Sequence, residues 1–550
     1  MQITAHSLQT LRPTSPTIIN SSKAVLVLLV IVAALASNLH AANSTHNMAG
    51  EDSSKAAIEL LPQALGSYRW PISTGHQHAQ AFFDQGMQLR WAYNMPEAAE
   101  SMQRARELDP NCAMCFWGEA FALGSFLNGG MSTAAAASAR TAIQQANILK
   151  ASSTPVEQAL IEASLVRFPA AYDPAARRVS DQDFADSMAT VYAHYPDDHN
   201  VAAVYAVALF LLEERRGYRD LADPDLQRLH GVLTKVLAQD IRHPGACHLY
   251  IHATESSQQP ELALDCAEHL ASTVPLASHI QHMPSHTWNE LGLWGRSVRA
   301  NTNAKNVDLL AAEGAGFSYA AGHNLHMLLF AASYDGQGAV ATQAGKDYRK
   351  YTGDAKFEAT TLIRFGRFDE VLELNRRPAK AASAAIYDFA KGYAKLKNGD
   401  MEGAQDSLSN LQRYAATTTD IIRFHEAKTI VGVLANLLAG EISVTNGDIE
   451  SALEAFQQAV VLEDTLEYDE PEPLPFAARH WLGQTLLDAD QPTQAAKVFR
   501  AELEDHPHNG WSLYGLQQAL AASGKTDPEV DIDLEKSWAR ADVWLRSAKF

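Results

Sequence analysis

From His76 onward the apolar positions recur at helical spacing, and the pattern holds almost to the end of the chain. Alanine and leucine dominate these stretches. Glycine and proline punctuate them, as helix breakers between helix formers should. Period-two alternation of β-branched residues between turns is almost absent, so the pattern predicts an all-α protein. Before His76 the chain reads differently. Residues 43–75 are polar and mixed, a linker and lead-in segment around Tyr68, Arg69, Trp70 and Pro71. Ahead of it Lys23 precedes an apolar run from Ala24 to Ala36, followed by small residues through Ala42. That run is short for a bilayer span and suits the core of an export signal. Residues 1–42 are therefore expected to be a signal peptide, with a retained N-terminal anchor as the alternative. The expected location is periplasmic or secreted. No later stretch reads as a further membrane span.

The punctuation has a period. Phe82, Gly86, Ala98, Met102, Ala105 and Pro110 follow one another at the spacing of an aromatic, a small residue, then Ala, a large apolar residue, Ala and Pro. Gly483, Ala495, Phe499 and Pro507 repeat it near the C-terminus. Gly399–Ala404 and Gly447–Ala452 read as further turns between paired helices. This resembles the tetratricopeptide repeat (TPR), a helix-turn-helix of about 34 residues. Small residues let its two helices pack closely, and the proline follows the second helix, where it does least harm. The resemblance implies a TPR-like helical-hairpin solenoid with a concave groove. Residues 76–375 are expected to form an N-terminal array, residues 376–524 a C-terminal array, and residues 525–550 a capping helix with Trp538 and Trp544. Four segments interrupt the period: Ser125–Pro155, Arg215–Pro224, Tyr414–Phe424 and the acidic, proline-rich Glu463–Pro475. A solenoid tolerates such insertions between units.

Composition narrows the partners. Apolar residues make up 47% and charged residues 20% of the 550 residues, ordinary for a folded chain and too long for one compact core. A formal charge of −20 argues against nucleic acid and anionic membrane surfaces, which need a basic face. Four cysteines, Cys112, Cys115, Cys247 and Cys266, are too few for a disulfide scaffold. Pairs 112/115 and 247/266 are available in an oxidising compartment, but spacing does not fix the connectivity. Cys112-Ala113-Met114-Cys115 lies at a helix start, where packing is favoured over a redox role. The run Asp469–Glu472 reads as a solvated loop, with calcium binding the lesser reading. His76, His78, His506 and His508 fall at unit ends and read as solvated. Trp91, Trp117, Trp288, Trp294 and Trp481 read as repeat core. Neither a phosphate loop of the Walker type nor a G-x-S-x-G elbow is present.

One stretch carries candidate chemistry. His248 and His252 form an H-x-x-x-H pair, and His282 and His286 form another one repeat length later. On a helix such residues lie one above the other, with β-carbons roughly 5–6 Å apart. Two imidazoles so placed can share a metal ion. In the TPR frame both pairs fall at groove-lining positions of successive first helices, and His323 and His326 fall near equivalent positions in the next unit. Neighbouring helices sit roughly 8–10 Å apart, so these side chains can converge. Imidazole suits zinc, copper, iron or nickel. Glu255 adds a carboxylate, as a ligand or as a general base. The expected metal set is His248, His252, His282, His286, His323 and His326, holding a transition metal such as Zn, Fe or Cu. His243, before Pro244-Gly245, reads as a loop or N-cap element. His279 reads as an outer partner of a ligand or as an exposed residue.

The phrases His243-Pro244-Gly245, His248-Leu249-Tyr250-Ile251-His252, His282-Met283-Pro284-Ser285-His286 and His323-Asn324-Leu325-His326 resemble those of a family of exported bacterial TPR-containing proteins. So do Cys112–Gly118 and His506–Leu516. The resemblance spans nearly the whole chain after the leader. It implies the architecture and carries no activity with it. Two functions follow. The first is a metal-binding protein, with metal-dependent hydrolytic or redox chemistry at the histidines. The second is a non-catalytic scaffold that binds a peptide or partner protein in its groove, with histidines as hydrogen-bonding groups that titrate near pH 6–7.

Overall fold

A computed structural model describes residues 58–214 and 217–550; the leader and residues 43–57 of the linker lie outside the described residues. Helices pair into successive hairpins, among them Gln77–Trp91 with Met95–Leu108, Ala321–Tyr334 with Gly338–Thr352, and Ala427–Thr445 with Ile449–Glu463. The only strands among the described residues are Ile421–Ile422 and His425–Glu426, an antiparallel pair that presents Arg423 and Phe424 at its tip. The chain is an all-α, TPR-like solenoid.

The two kinds of helix in a hairpin differ in burial. Met401–Thr417, a second helix, buries only Ala404, Ser407 and Leu411. Pro244–Thr254, a first helix, is buried on every side. Such a helix must be covered by more than its own repeat. The covering comes from both ends of the solenoid, which fold back onto the middle. At the N-terminal end, Leu276 donates its N–H to the Ala64 carbonyl at 3.2 Å, and Asn94 Nδ2 donates to the Ser318 carbonyl at 3.0 Å. At the C-terminal end, Trp294 Nε1 donates to the Pro507 carbonyl at 3.0 Å and Trp511 Nε1 to the Ser333 carbonyl at 2.9 Å. Gly292, at φ 65°, touches Pro507 so closely that a β-carbon there would lie 1.9 Å from its carbonyl oxygen. Only glycine allows that approach.

The C-terminal segment differs from expectation. Its helix runs only from Pro528 to Trp538, and the residues after it form turns and irregular chain. Gly and Ala N–H groups at the start of the helix Gly338–Thr352 donate to Asp542, and Arg540 pairs with Asp335 at 2.6 Å. Lys549 reaches buried Glu441 at 2.7 Å. The tail is a strap across several units, and Trp544 is left 86% exposed instead of packing with Trp538. One helix also departs from the reading that no span follows the leader. Ala427–Thr445 is 19 residues long with a mean hydropathy of 1.4, enough to cross a membrane by length and composition. It is mostly buried between its neighbours, as a core helix of a solenoid must be.

Candidate metal centre

The His243-Pro244-Gly245 phrase builds the first wall of the site. His243 is the N-cap of the helix Pro244–Thr254, and its Nδ1 accepts from the Ala246 N–H at 3.1 Å. Burial lowers its pKa to about 4, which keeps it a neutral acceptor. Pro244 fits the first turn, where an N–H would have no partner. Gly245 lets the helix press on the Trp91 indole, which a β-carbon would meet at 2.5 Å. That contact brings the Trp91 carbonyl to His248 Nδ1 at 2.5 Å. Four residues on, His252 Nδ1 donates to Glu255 Oε1 at 3.0 Å. Cys247 is joined to Cys266 on the partner helix, and Cys112 to Cys115.

The second wall is the helix Ser278–His282, continued by Pro284–Glu290. Pro284 removes an intrahelical donor between His282 and His286 and breaks the helix there. His282 Nδ1 donates to Asn301 Oδ1 at 2.7 Å. The Asn301 amide is itself oriented, because its Nδ2 donates to the Ser297 carbonyl at 3.0 Å. His286 Nδ1 lies between two carboxylates, 2.7 Å from Glu255 and 2.9 Å from Glu470.

The outward nitrogens converge. His279 Nε2 is 3.1 Å from His248 Nε2, and His252 joins them in one group. His282 Nε2 is 2.8 Å from His286 Nε2 and 3.1 Å from His323 Nε2. Two three-histidine groups result, His248/His252/His279 and His282/His286/His323, and a third group, His252/Glu255/His286/Glu470, lies between them. In each group the donor atoms are within 4.8 Å of one another. His252 Nε2 and His279 Nδ1 are buried with no hydrogen-bond partner.

Tautomers follow from the partners. Carbonyl, amide oxygen and carboxylate only accept, so Nδ1 of His248, His252 and His282 carries the proton and Nε2 presents a lone pair. This is how ligating imidazoles are normally held. An ion bound at Zn–N distances of about 2.0–2.1 Å in tetrahedral geometry separates its nitrogens by about 3.3 Å. The gaps of 2.8 to 3.1 Å need only a slight opening. The residues therefore fit a transition metal.

The charges agree. Burial holds His248, His279 and His323 well below the usual imidazole range, and it lowers His282 to about 3. His252 is lowered by burial too, against Glu255. His286 is the exception. Burial opposes its charge, but Glu255 and Glu470 outweigh burial and raise it to about 9. Glu255 is held down to about 2, as His252 and His286 overcome the effect of its own burial. It stays ionised, which suits positioning of two imidazoles better than proton abstraction.

The sequence-predicted residues separate here. His248, His252, His282, His286 and His323 come together. His326 does not: its ring stacks on Phe357 at 3.8 Å, one turn along the helix from His323. His279 is buried at the heart of the first group, neither peripheral nor exposed. Its i, i+3, i+7 relation to His282 and His286 was the available signal. The Asp469–Glu472 run is not a solvated loop, since Asp469 and Glu470 are both buried. Arg423 clamps Asp469 with two contacts of 2.5 and 2.7 Å and reaches the Glu470 carbonyl at 2.8 Å. His506 is likewise buried, 2.8 Å from Glu502 and 3.2 Å from Glu472.

The four interrupting segments all converge on this centre. Phe126 packs edge-on against Tyr93, whose ring stacks on His279 with centroids 5.2 Å apart. Arg219 Nη1 donates to Ser256 Oγ, next to Glu255, at 2.7 Å. Arg423 and Glu470 complete the set. His286 and Glu470 form part of the wall of a chamber of about 250 Å³.

No protein-family model and no curated protein matches the chain. Among solved structures, it is similar to the Cut9–Hcn1 hetero-tetramer of the APC/C at 12% identity, over 84% of this chain and 90% of that one, with a TM-score of 0.28. Human IFIT1 with m7Gppp-AAAA is similar at 10% identity, over 84% and 96%, with a TM-score of 0.30. Yeast Tom70 is similar at 11% identity, over 84% and 92%, with a TM-score of 0.27. At these scores the likeness carries no argument about what this chain binds.

Proposed function

We propose that this chain is an exported metalloprotein with a dinuclear transition-metal centre buried at the crossing of its solenoid. One ion is held by His248, His252 and His279, the other by His282, His286 and His323. Zinc, copper and iron all suit three imidazoles. The observation that carries this reading is the outer set of partners. The Trp91 carbonyl, Glu255 and Asn301 each hold an Nδ1 proton, leaving the Nε2 lone pairs directed at shared points.

The protein's own groups have defined roles in this reading. Glu255 and Glu470 orient one histidine of each triad and supply negative charge that attracts cations to the pair. Tyr93 shields the first triad from water, while the second borders the chamber. When bound, the ions supply Lewis acidity or a redox couple for hydrolytic or oxidative chemistry on a small molecule. Two disulfides agree with an oxidising, extracytoplasmic compartment. The chamber's size and the covering of the inner face favour a small molecule at this site over an extended peptide.

Elemental analysis of chain purified without chelator or a metal-affinity tag tests the proposal. Two ions per chain are expected, with loss of one in His252→Ala and of one in His286→Ala. Absence of stoichiometric metal from the wild-type chain would sink it.

A further inference from the structure

The chamber beside His286 and Glu470 has an uneven lining. Trp294, Met327 and Phe330 are apolar. Glu290, Glu463, Glu472, Glu502 and Asp505 are acidic. Its cationic side chains are already engaged, His286 between Glu255 and Glu470 among them. Arg479 contacts Asp464 at 2.8 Å and Asp505 at 3.2 Å, and His506 lies between Glu502 and Glu472.

Two acceptors in this lining have no donor. Glu502 Oε2 is unpartnered on a side chain 1% exposed, and Asn289 Oδ1 is unpartnered on a side chain 8% exposed. An acceptor buried without a partner is costly, more so when it is charged. Asn289 stands one helical turn beyond His286, so it links the chamber to the second triad. The missing groups are N–H donors with positive charge. A bare metal ion would satisfy the carboxylates alone and leave two aromatic rings and a thioether unused.

We propose that the chamber binds a small organic ammonium, an alkylamine or diamine, beside the metal centre. Its charged head sits among Glu290, Glu463 and Glu502, and its alkyl body lies on Trp294, Met327 and Phe330. This assignment rests on the metal-centre reading for its chemistry, but the binding itself does not require metal. Burial supports it energetically. Glu290 is raised to about 8 by burial and by Glu472, and burial raises Glu463 and Glu502 as well. An arriving ammonium favours the ionised carboxylates that burial disfavours.

The test is calorimetric titration of the metal-loaded full chain with 1,4-diaminobutane, and in parallel with butan-1-ol, butyrate and calcium. The diamine is expected to bind at least about tenfold tighter than butanol, and butyrate not at all. Glu502→Gln is expected to weaken the diamine about tenfold with metal content unchanged. Glu290→Gln, at a half-buried position, repeats the test where folding is not at risk. Equal binding of diamine and butanol, calcium displacing the diamine at equal concentration, or undiminished affinity in both variants would overturn the proposal. Diamine binding by a wild-type chain that takes up no metal when metal is supplied would sink the metal reading and leave the ammonium site standing. Metal without diamine binding would do the reverse.

Discussion

The two histidine triads are built alike and set up differently. Each takes an i, i+4 pair and a third imidazole from a neighbouring unit, the first pair on the single helix Pro244–Thr254 and the second split by Pro284 between two short helices. The first triad is closed. Its members are all buried, an aromatic ring covers it, and its histidines are neutral, with Nδ1 of His248 and His252 holding the proton. The second is open on one side and charged. His323 is half-buried, and His286 keeps a proton because two carboxylates face its Nδ1. The difference teaches that ligand identity alone does not define a metal site. On the proposed reading, three imidazoles in one place would take up an ion without losing a proton, and in the other they would first give one up.

Deleting the shared ligands should separate the triads most strongly. His282 Nε2 touches both of its partners, so His282→Ala should lower metal affinity at the second triad at least about 100-fold and leave one ion per chain. His248→Ala should do the same at the first. His326→Ala should leave both ions in place, although it removes a buried ring from Phe357. Metal content read by elemental analysis would break the comparison if His282→Ala emptied both triads or His326→Ala emptied either.

Removing an orienting partner should have a smaller effect, about 10- to 100-fold. Asn301→Leu should weaken the second triad alone, since Asn301 holds only His282. Glu255→Gln should weaken both, because Glu255 contacts His252 and His286. Competition against a chelating indicator measures the two affinities.

The pH dependence sharpens the comparison further. Without metal, His286 holds its proton up to about 9, so binding at the second triad should strengthen about tenfold per pH unit from 6.5 to 9 and then level off. The first triad, neutral throughout that range, should show no such rise. The same shift has a consequence for stability. The raised His286 stabilises the metal-free fold fully below about 6.5, and this contribution is lost as pH rises through about 9. Parallel pH profiles for the two ions would contradict the difference.

The smallest expected effect is at Gly245. A methyl group there meets the Trp91 ring, and Gly245→Ala should destabilise the chain by about 1–3 kcal/mol. By displacing the Trp91 carbonyl it should weaken the first triad only, which thermal unfolding and metal titration together would reveal.

Much of this was legible in the sequence, because it is local. Periodicity pointed to the all-α solenoid, and the i, i+4 pairs supplied two of the three members of each triad. The N-cap role of His243 and the repeat distance between His248 and His282 are also short-range facts. Glu470 was not legible, since it arrives from an acidic insertion nearly two hundred residues downstream and is held there by Arg423 from another insertion. Nothing in Asp469-Glu470-Pro471-Glu472 distinguishes a buried carboxylate from a solvated one. The same holds for His506, whose burial depends on the C-terminal units folding back onto Trp294 and Tyr334. The segments that break the repeat carry no repeat constraint, and their residues are the ones that complete the site.

Anomalous diffraction at the edge of the bound metal tests the central claim most directly. The account predicts two peaks per chain, one among the Nε2 atoms of His248, His252 and His279 and one among those of His282, His286 and His323. A single peak among His252, Glu255, His286 and Glu470 would contradict it.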